Sequence, residues 1–326
     1  MRYRALGSTG VSVSVIGFGA SPFGNVFGDV PPKHDERIVR EAVDAGINIF
    51  DVSPYYGLGL AEERLGAALG PWRDSVLLTT KAGRYDAENF DFSARTVTRS
   101  LDASLRRLQT DHVDLFQVYD IEFGSIDQIL QETLPAAAEL KHQGKTRFIG
   151  ITSYWPDLLS RIATEFPVDT ILSYCHANLF VGDMDRVLSG FAKKTATGLI
   201  NASPLHMGLL GGGPVPLWHP APPAVRAAAK DVNQLCRNQS VDPATLAIYL
   251  CLQHPVVATT FVGISTAEQV SAACAALEWQ PDVELLNAVR ARVDPVFNTV
   301  WPQGRPENAD QSLAVQDASM RNGVSA

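Results

Sequence analysis

Asp51, Tyr56 and Lys81 are the residues from which chemistry is most readily built. The apolar run Ile49-Phe50 stops on an acid, Asp51, and the Pro- and Gly-punctuated loop that follows carries a phenol, Tyr56. A second apolar run, Val76-Leu77-Leu78-Thr79-Thr80, ends on a single lysine, Lys81. Carboxylate, phenol and ammonium at the mouths of neighbouring strands can form a proton-donating unit. A cation beside a phenol favours the phenolate, so Lys81 is expected to lower Tyr56 from about 10 toward working pH. Tyr56 then serves as a general acid or base, with Asp51 as the partner of the lysine. The same spacing also fits a structural Asp–Lys pair that stiffens a strand rim, with Tyr56 merely packing.

Such a unit needs strands that end side by side. Short alternating segments at 2–5 and 12–15, joined by Gly7-Ser8-Thr9-Gly10, predict a hairpin before the main body. Apolar runs then predict strands over 15–19, 47–51, 75–81, 113–118, 147–151, 170–174, 198–202 and 256–262. Helical spacing predicts helices over 35–45, 61–69, from Ser93, over 126–142, from Pro156, and over 183–193, 224–237, 243–253, 266–277 and 283–293. Strands alternating with helices imply a parallel sheet, and eight of them favour an α/β fold closed as a (β/α)8 TIM barrel. No GxGxxG follows the first strand, which argues against a doubly wound dinucleotide fold. The chain is expected to be one domain over 1–326, and the tail 295–326, without clear periodicity, either folds over the barrel mouth or is irregular. In such a barrel, active sites lie at the C-terminal strand ends, where Asp51, Lys81 and Tyr119-Asp120 fall.

Composition excludes several classes. With 46% hydrophobic and 19% charged residues and a net charge of −8, the chain has neither a bilayer-length apolar run nor a basic run. No nucleic-acid partner and no membrane are therefore expected. The segment Met1-Arg2-Tyr3-Arg4-Ala5 lacks the apolar core of a signal peptide, which makes a cytoplasmic location the expectation. Cys175, Cys236, Cys251 and Cys274 have no CxxC spacing and read as reduced thiols, and the seven histidines show no paired spacing for a metal.

Phe50-Asp51-Val52-Ser53-Pro54-Tyr55-Tyr56-Gly57 resembles the Asp/Tyr signature of the aldo-keto reductases, Thr80-Lys81 their lysine block, and Phe148-Ile149-Gly150-Ile151-Thr152-Ser153 their nicotinamide-site block. The similarity runs from Arg4 to about Leu277 and is greatest to the L-galactose dehydrogenase and aldose 1-dehydrogenase branch. The resemblance implies a barrel that binds NAD(P)(H) across the strand ends. Tyr56 would be the proton donor or acceptor, Lys81 its modulator and Asp51 the partner of Lys81. It places cofactor contacts at Gly19, Ala20, Ser21, Thr152, Ser153, Ser203, Leu205, Gly263, Ser265, Thr266 and Gln269. Substrate contacts are placed at Phe23, Asp120, His176, His206 and Trp218, with a sugar or aldehyde as the small-molecule substrate.

Three departures from the family pattern stand out. Tyr119 occupies the place of the family's histidine at the end of strand four, and Gln117 stands two positions earlier. A phenol with a pKa of about 10 can donate in place but does not exchange protons near neutrality as an imidazole does. The segment 263–274 contains no lysine or arginine, and Ala272-Ala273 replace the adenine-contacting Glu-Asn pair. A 2′-phosphate would find no cation there, so NAD is expected in preference to NADP. Ile171 and Ala202 stand where a glutamine and a stacking aromatic are usual. The alternative reading is a barrel of the same descent without redox turnover or cofactor: a lyase, dehydratase, isomerase or binding protein using the Tyr/Lys pair.

Overall fold

A computed structural model describes residues 1–309 apart from 212 and 214. The hairpin forms from β1 (Tyr3–Ala5) and β2 (Ser12–Ser14), antiparallel, with Tyr3 opposite Ser14. Eight parallel strands then close a barrel: β3 (Ile16–Gly19), β4 (Ile49–Asp51), β5 (Leu77–Ala82), β6 (Val113–Val118), β7 (Thr146–Ser153), β8 (Thr170–Tyr174), β9 (Gly198–Ala202) and β10 (Thr259–Gly263). β10 pairs with both β3 and β9, so no edge is left open.

Side chains alternate between the two faces of each strand, and this alternation builds the site. Leu6, Val13, Ile49, Leu115, Leu172, Ile200, Ala258 and Phe261 fill the interior as one buried cluster. Leu6 and Val13 belong to the hairpin segment, which therefore closes the N-terminal end of the barrel. Phe50, Leu78, Phe116 and Ile171 face outward into the helix layer, in a second cluster with Ile38, Leu65, Val97 and Leu134. Register then puts Asp51 beside Thr79 and Lys81 beside Gln117, one layer above the apolar plug. An acid, a lysine and an amide thus sit on the inner face because each lies two residues on from an inward-facing apolar residue or one of its inward-facing successors.

Helices follow the expected order, with local corrections. The N-cap Ser93 accepts from Thr96 N and starts the helix Ala94–Arg107. The segment expected as one helix over 126–142 is interrupted by a π-helical stretch, Ile129–Thr133, and the helix expected over 183–193 opens with another, Asp185–Ser189. The last strand starts three residues later than the apolar run suggests. Val256 and Val257 donate their N–H groups to His254 Nδ1, and this turn delays pairing until Thr259.

The tail folds over the barrel mouth as far as it is described. Trp301 is buried against Tyr154, with ring centroids 5.3 Å apart. Arg305 N and Asn308 Nδ2 both donate to Glu122 O at 2.9 Å. The remainder of the expected irregular tail, 310–326, lies outside the described residues. Among the described residues no helix is long and apolar enough to cross a membrane.

Candidate active site

Asp51, at the end of β4, is buried with both oxygens engaged. Lys81 Nζ lies 2.6 Å from Oδ2, Thr79 Oγ1 donates to Oδ1 at 2.6 Å, and Gln117 Nε2 donates to Oδ1 at 3.2 Å. Lys81 also donates to Val52 O at 2.9 Å. Burial alone would lower the Lys81 ammonium, but the charge of Asp51 and the neighbouring Tyr56 hold it above its ordinary value, so the lysine is a fixed cation.

Tyr56 is brought to this cation by close packing of two loops. A Cβ on Gly24 would fall 2.4 Å from the carbonyl carbon of Tyr56, and Gly57, at φ +65°, touches Gly24 in return. Only residues without side chains let the β3 and β4 loops approach so closely. Lys81 Nζ then lies 5.1 Å from the centroid of the Tyr56 ring and 5.3 Å from that of Tyr119. Tyr119 OH donates to Tyr56 OH at 3.5 Å, and Tyr55 completes a cluster of three rings with centroids 5.9–6.3 Å apart. With Tyr119 donating to its oxygen, Tyr56 keeps its own proton to give.

One expectation is overturned here. Lys81 does pull Tyr56 down, but burial pushes it up by more, and the net displacement is above the ordinary value of a phenol. Tyr119 stands well above that value, through burial and then the neighbouring Tyr56. Desolvation of a buried anion outweighs a single cation that is already paired with Asp51. At rest the cluster is therefore a neutral proton donor, not a phenolate.

Tyr56 and Asp51 form the inner end of a cleft of about 360 Å³. Seven of the expected cofactor residues line it: Gly19, Ser21, Ser203, Leu205, Gly263, Ser265 and Gln269. Ala20 is buried behind it, its N–H donating to Asp51 O at 2.8 Å. Thr152 and Ser153 are buried too, the first donating to Asp120 Oδ1 and the second accepting from Trp155 N. Thr266 caps the helix Ala267–Ala275 by accepting from Gln269 N.

The expected substrate residues are placed less favourably. Phe23 is fully buried, edge-on to Phe18 and under Arg64. His176 is buried with Nδ1 2.6 Å from Asp183 Oδ1. His206 is buried under Trp301, and burial lowers it to about 3, so it carries no charge at neutral pH. Neither histidine lines the cleft, and neither takes the place of the missing imidazole beside Tyr56. Asp120 is buried and ion-paired with Arg84 at 2.7 Å. Trp218 is half exposed and meets Phe27 across the cleft mouth, with centroids 5.8 Å apart.

Phe27, Gly28, Asp29 and Val30 form one cleft wall, held by the loop that Arg64 ties down through Asp35 (2.6 Å) and Phe23 O (2.9 Å). Sequence reasoning missed two cations. Arg37 reaches across from the helix Asp35–Asp44 to Glu268 in the first turn of Ala267–Ala275, at 3.4 Å. A cation does therefore stand near that helix start, contrary to the expectation drawn from 263–274 alone. Nothing in the spacing of either residue signals the pairing, which exists only because the closed barrel makes the helices that follow its first and last strands neighbours. Arg84, by contrast, carried a signal: it is a lone arginine just past a strand end.

The model of the aldo/keto reductase family matches residues 15–292. L-galactose dehydrogenase of Arabidopsis thaliana is 44% identical over 315 residues, covering 94% of this chain and 98% of that protein. D-threo-aldose 1-dehydrogenase of a Pseudomonas species is 31% identical over 313 residues, covering 84% and 93%. Among solved structures, an aldo-keto reductase of Bacillus halodurans in its holo form superposes with a TM-score of 0.74 at 27% identity, covering 93% of this chain and 98% of that one.

Proposed function

The chain belongs to the aldo/keto reductase family, and on that premise we propose that it is an NAD-linked dehydrogenase that oxidises an aldose at its anomeric carbon to the lactone. The observation that carries the reading is the Asp51–Lys81–Tyr56 cluster, whose Asp51 and Tyr56 line the cleft with Lys81 buried behind them. The names of the two relatives, both aldose-type dehydrogenases, support the substrate class.

The cleft fits a nicotinamide dinucleotide. A Cβ on Gly263 would stand 3.5 Å from Pro22, and one on Gly208 3.8 Å from Phe27, so side chains at either position would fill the groove. Gly19, Ser21, Ser203, Leu205 and Gly263 would hold the dinucleotide along the strand ends, and the N-terminus of Ala267–Ala275 would offer backbone donors to its pyrophosphate. NAD is preferred because, among the described residues, no lysine or arginine lines the cleft and because the carboxylate of Glu268 engages Arg37. When bound, the dinucleotide supplies a hydride acceptor in the oxidative direction and a hydride donor in the reductive one.

The chain's own residues handle the proton. In the oxidative direction Tyr56 takes the anomeric hydroxyl proton at its phenolic oxygen, and in the reductive direction it gives that proton back. Lys81 stabilises the phenolate while Asp51 keeps Lys81 charged. Tyr119 donates to the same oxygen and so stabilises the charge that develops on it. Because burial raises both phenols, oxidation speeds up as pH rises, whereas reduction does not need ionised tyrosine. A screen of aldoses with NAD and NADP tests the reading. Lactone formation with NAD on at least one aldose is expected, and absence of turnover with either dinucleotide across the screen would refute it.

A further inference from the structure

Arg84 follows Gly83 just past the end of β5 and takes no direct part in the chemistry above. Its guanidinium lies 4.4 Å from the ring centroid of Tyr55, 5.0 Å from Phe123 and 5.4 Å from Phe90, which shield it from water. Nη1 is 2.7 Å from Asp120 Oδ2, Nη2 lies 3.5 Å from Tyr55 OH, and Nε is buried without a partner among the described residues. Asp120 directly follows Tyr119 in the chain. It has left-handed backbone angles, φ 51° and ψ 57°, which cost a non-glycine residue energy unless its surroundings fix them. Arg84 fixes its carboxylate, and Thr152 Oγ1 accepts from its N–H at 2.9 Å.

We propose that Arg84 and Asp120 are positioning residues: their buried ion pair holds Tyr119 against Tyr56 and, together with Asp51–Lys81, controls how readily the phenol cluster gives up a proton. The inference deepens the reading of Tyr56 as the proton-transfer group and rests on it. Its physical content lies in the opposite signs of the two ends. The Arg84 cation favours a phenolate nearby, whereas the Asp120 carboxylate opposes it. Behind the larger effects of burial and Tyr56, Asp120 raises Tyr119 and Arg84 lowers it. The other charged or titratable groups around the cluster are Lys81 and Asp51 from β5 and β4, Glu122 from the loop after β6, and Tyr174 from β8. None of them bonds both Asp120 and a ring of the cluster as Arg84 does.

A purely structural pair would give the same loosening whichever end were removed. An electrostatic one gives opposite shifts. The test is the pH profile of oxidative kcat in Arg84→Gln, Asp120→Asn and Arg84→Lys. Tyrosinate absorbance of the same proteins without substrate or dinucleotide is measured in parallel, with circular dichroism reporting the fold. The rising limb and the tyrosinate midpoint should move up by about one pH unit in Arg84→Gln and down by a similar amount in Asp120→Asn. Arg84→Lys, which keeps the charge, should restore most of the wild-type position. Shifts in the same direction in the first two variants, or no shift with the fold intact, would overturn the proposal. If Asp120→Asn does not fold, the Arg84 pair decides: no upward shift in Arg84→Gln, or no recovery in Arg84→Lys, refutes it. Tyrosinate shifts of opposite sign in a protein that turns over no aldose would instead uphold the electrostatic role and refute the oxidoreductase reading.

Discussion

Replacing Glu122 by glutamine should remove a pH dependence from the stability of the protein. Glu122 is fully buried, and Oε1 accepts from Tyr154 N at 3.1 Å and Tyr174 OH at 3.2 Å, while Oε2 has no hydrogen-bond partner among the described residues. Burial, reinforced by the charge of Asp120, raises it from 4.5 to about 8. The folded chain therefore holds a proton that the unfolded chain releases, and this contribution to stability is complete below pH 4.5 and lost as pH rises through about 8. The slope is at most about 1.4 kcal/mol per pH unit, and over the whole window it integrates to no more than about 5 kcal/mol. Asp120 shares the local charge, so a difference of a few kcal/mol is the realistic size. Glutamine keeps the acceptor and puts an amide where Oε2 stands, so Glu122→Gln should match the wild type in acid and exceed it in base. The assay is denaturant unfolding of both proteins from about pH 5 to about pH 9, read as the difference between them. The difference matters because His206 acts with the opposite sign. It is lowered from 6.5 to about 3, so its contribution grows as pH rises through that range and cancels only in the comparison. A difference that stays flat, or grows toward acid, would refute the reasoning.

Two further outcomes follow from the site. Lys81→Met leaves the Asp51 carboxylate buried without its cation and should destabilise the protein by about 3–5 kcal/mol, as measured by denaturant unfolding. Asp51→Asn in the same background should recover part of that loss, and a Lys81→Met protein as stable as wild type would contradict the buried pair. Glu268→Ala releases Arg37 and should tighten NADPH binding relative to NADH about fivefold. Nicotinamide fluorescence titration measures the ratio, and an unchanged ratio would show that Arg37 does not face the 2′-phosphate.

The barrel and the core of the site were legible because period-two alternation is a local signal. Ile49 and Asp51, Leu77 to Lys81, and Leu115 to Tyr119 declare their inner face along each strand, and barrel closure then brings them together. Balances of opposing terms were not legible. That Lys81 lies beside Tyr56 could be read from spacing, but whether its charge or burial prevails depends on how completely Tyr119 and the loops cover the phenol. Pairings between elements distant in sequence were also hidden. Arg37 with Glu268 needs the barrel to close, Arg84 with Asp120 needs β5 and β6 to end side by side, and Asn308 with Glu122 needs the tail to return over the loop after β6; no periodicity encodes them. His206 misled for a related reason: its place at a strand end suggested the site, while the described part of the tail, through Trp301, covers it.

The most direct test of the account compares wild type and Tyr56→Phe, measuring NADH binding by nicotinamide fluorescence and NAD-dependent oxidation of the best aldose. Phenylalanine preserves the ring that packs over Lys81 and removes only the oxygen that faces the cleft. NADH affinity within about twofold of wild type is expected, since the residues proposed to hold the dinucleotide do not include Tyr56, with turnover lower by about 10²–10⁴. Turnover retained in Tyr56→Phe, or a wild-type protein that binds neither NADH nor NADPH, would contradict it.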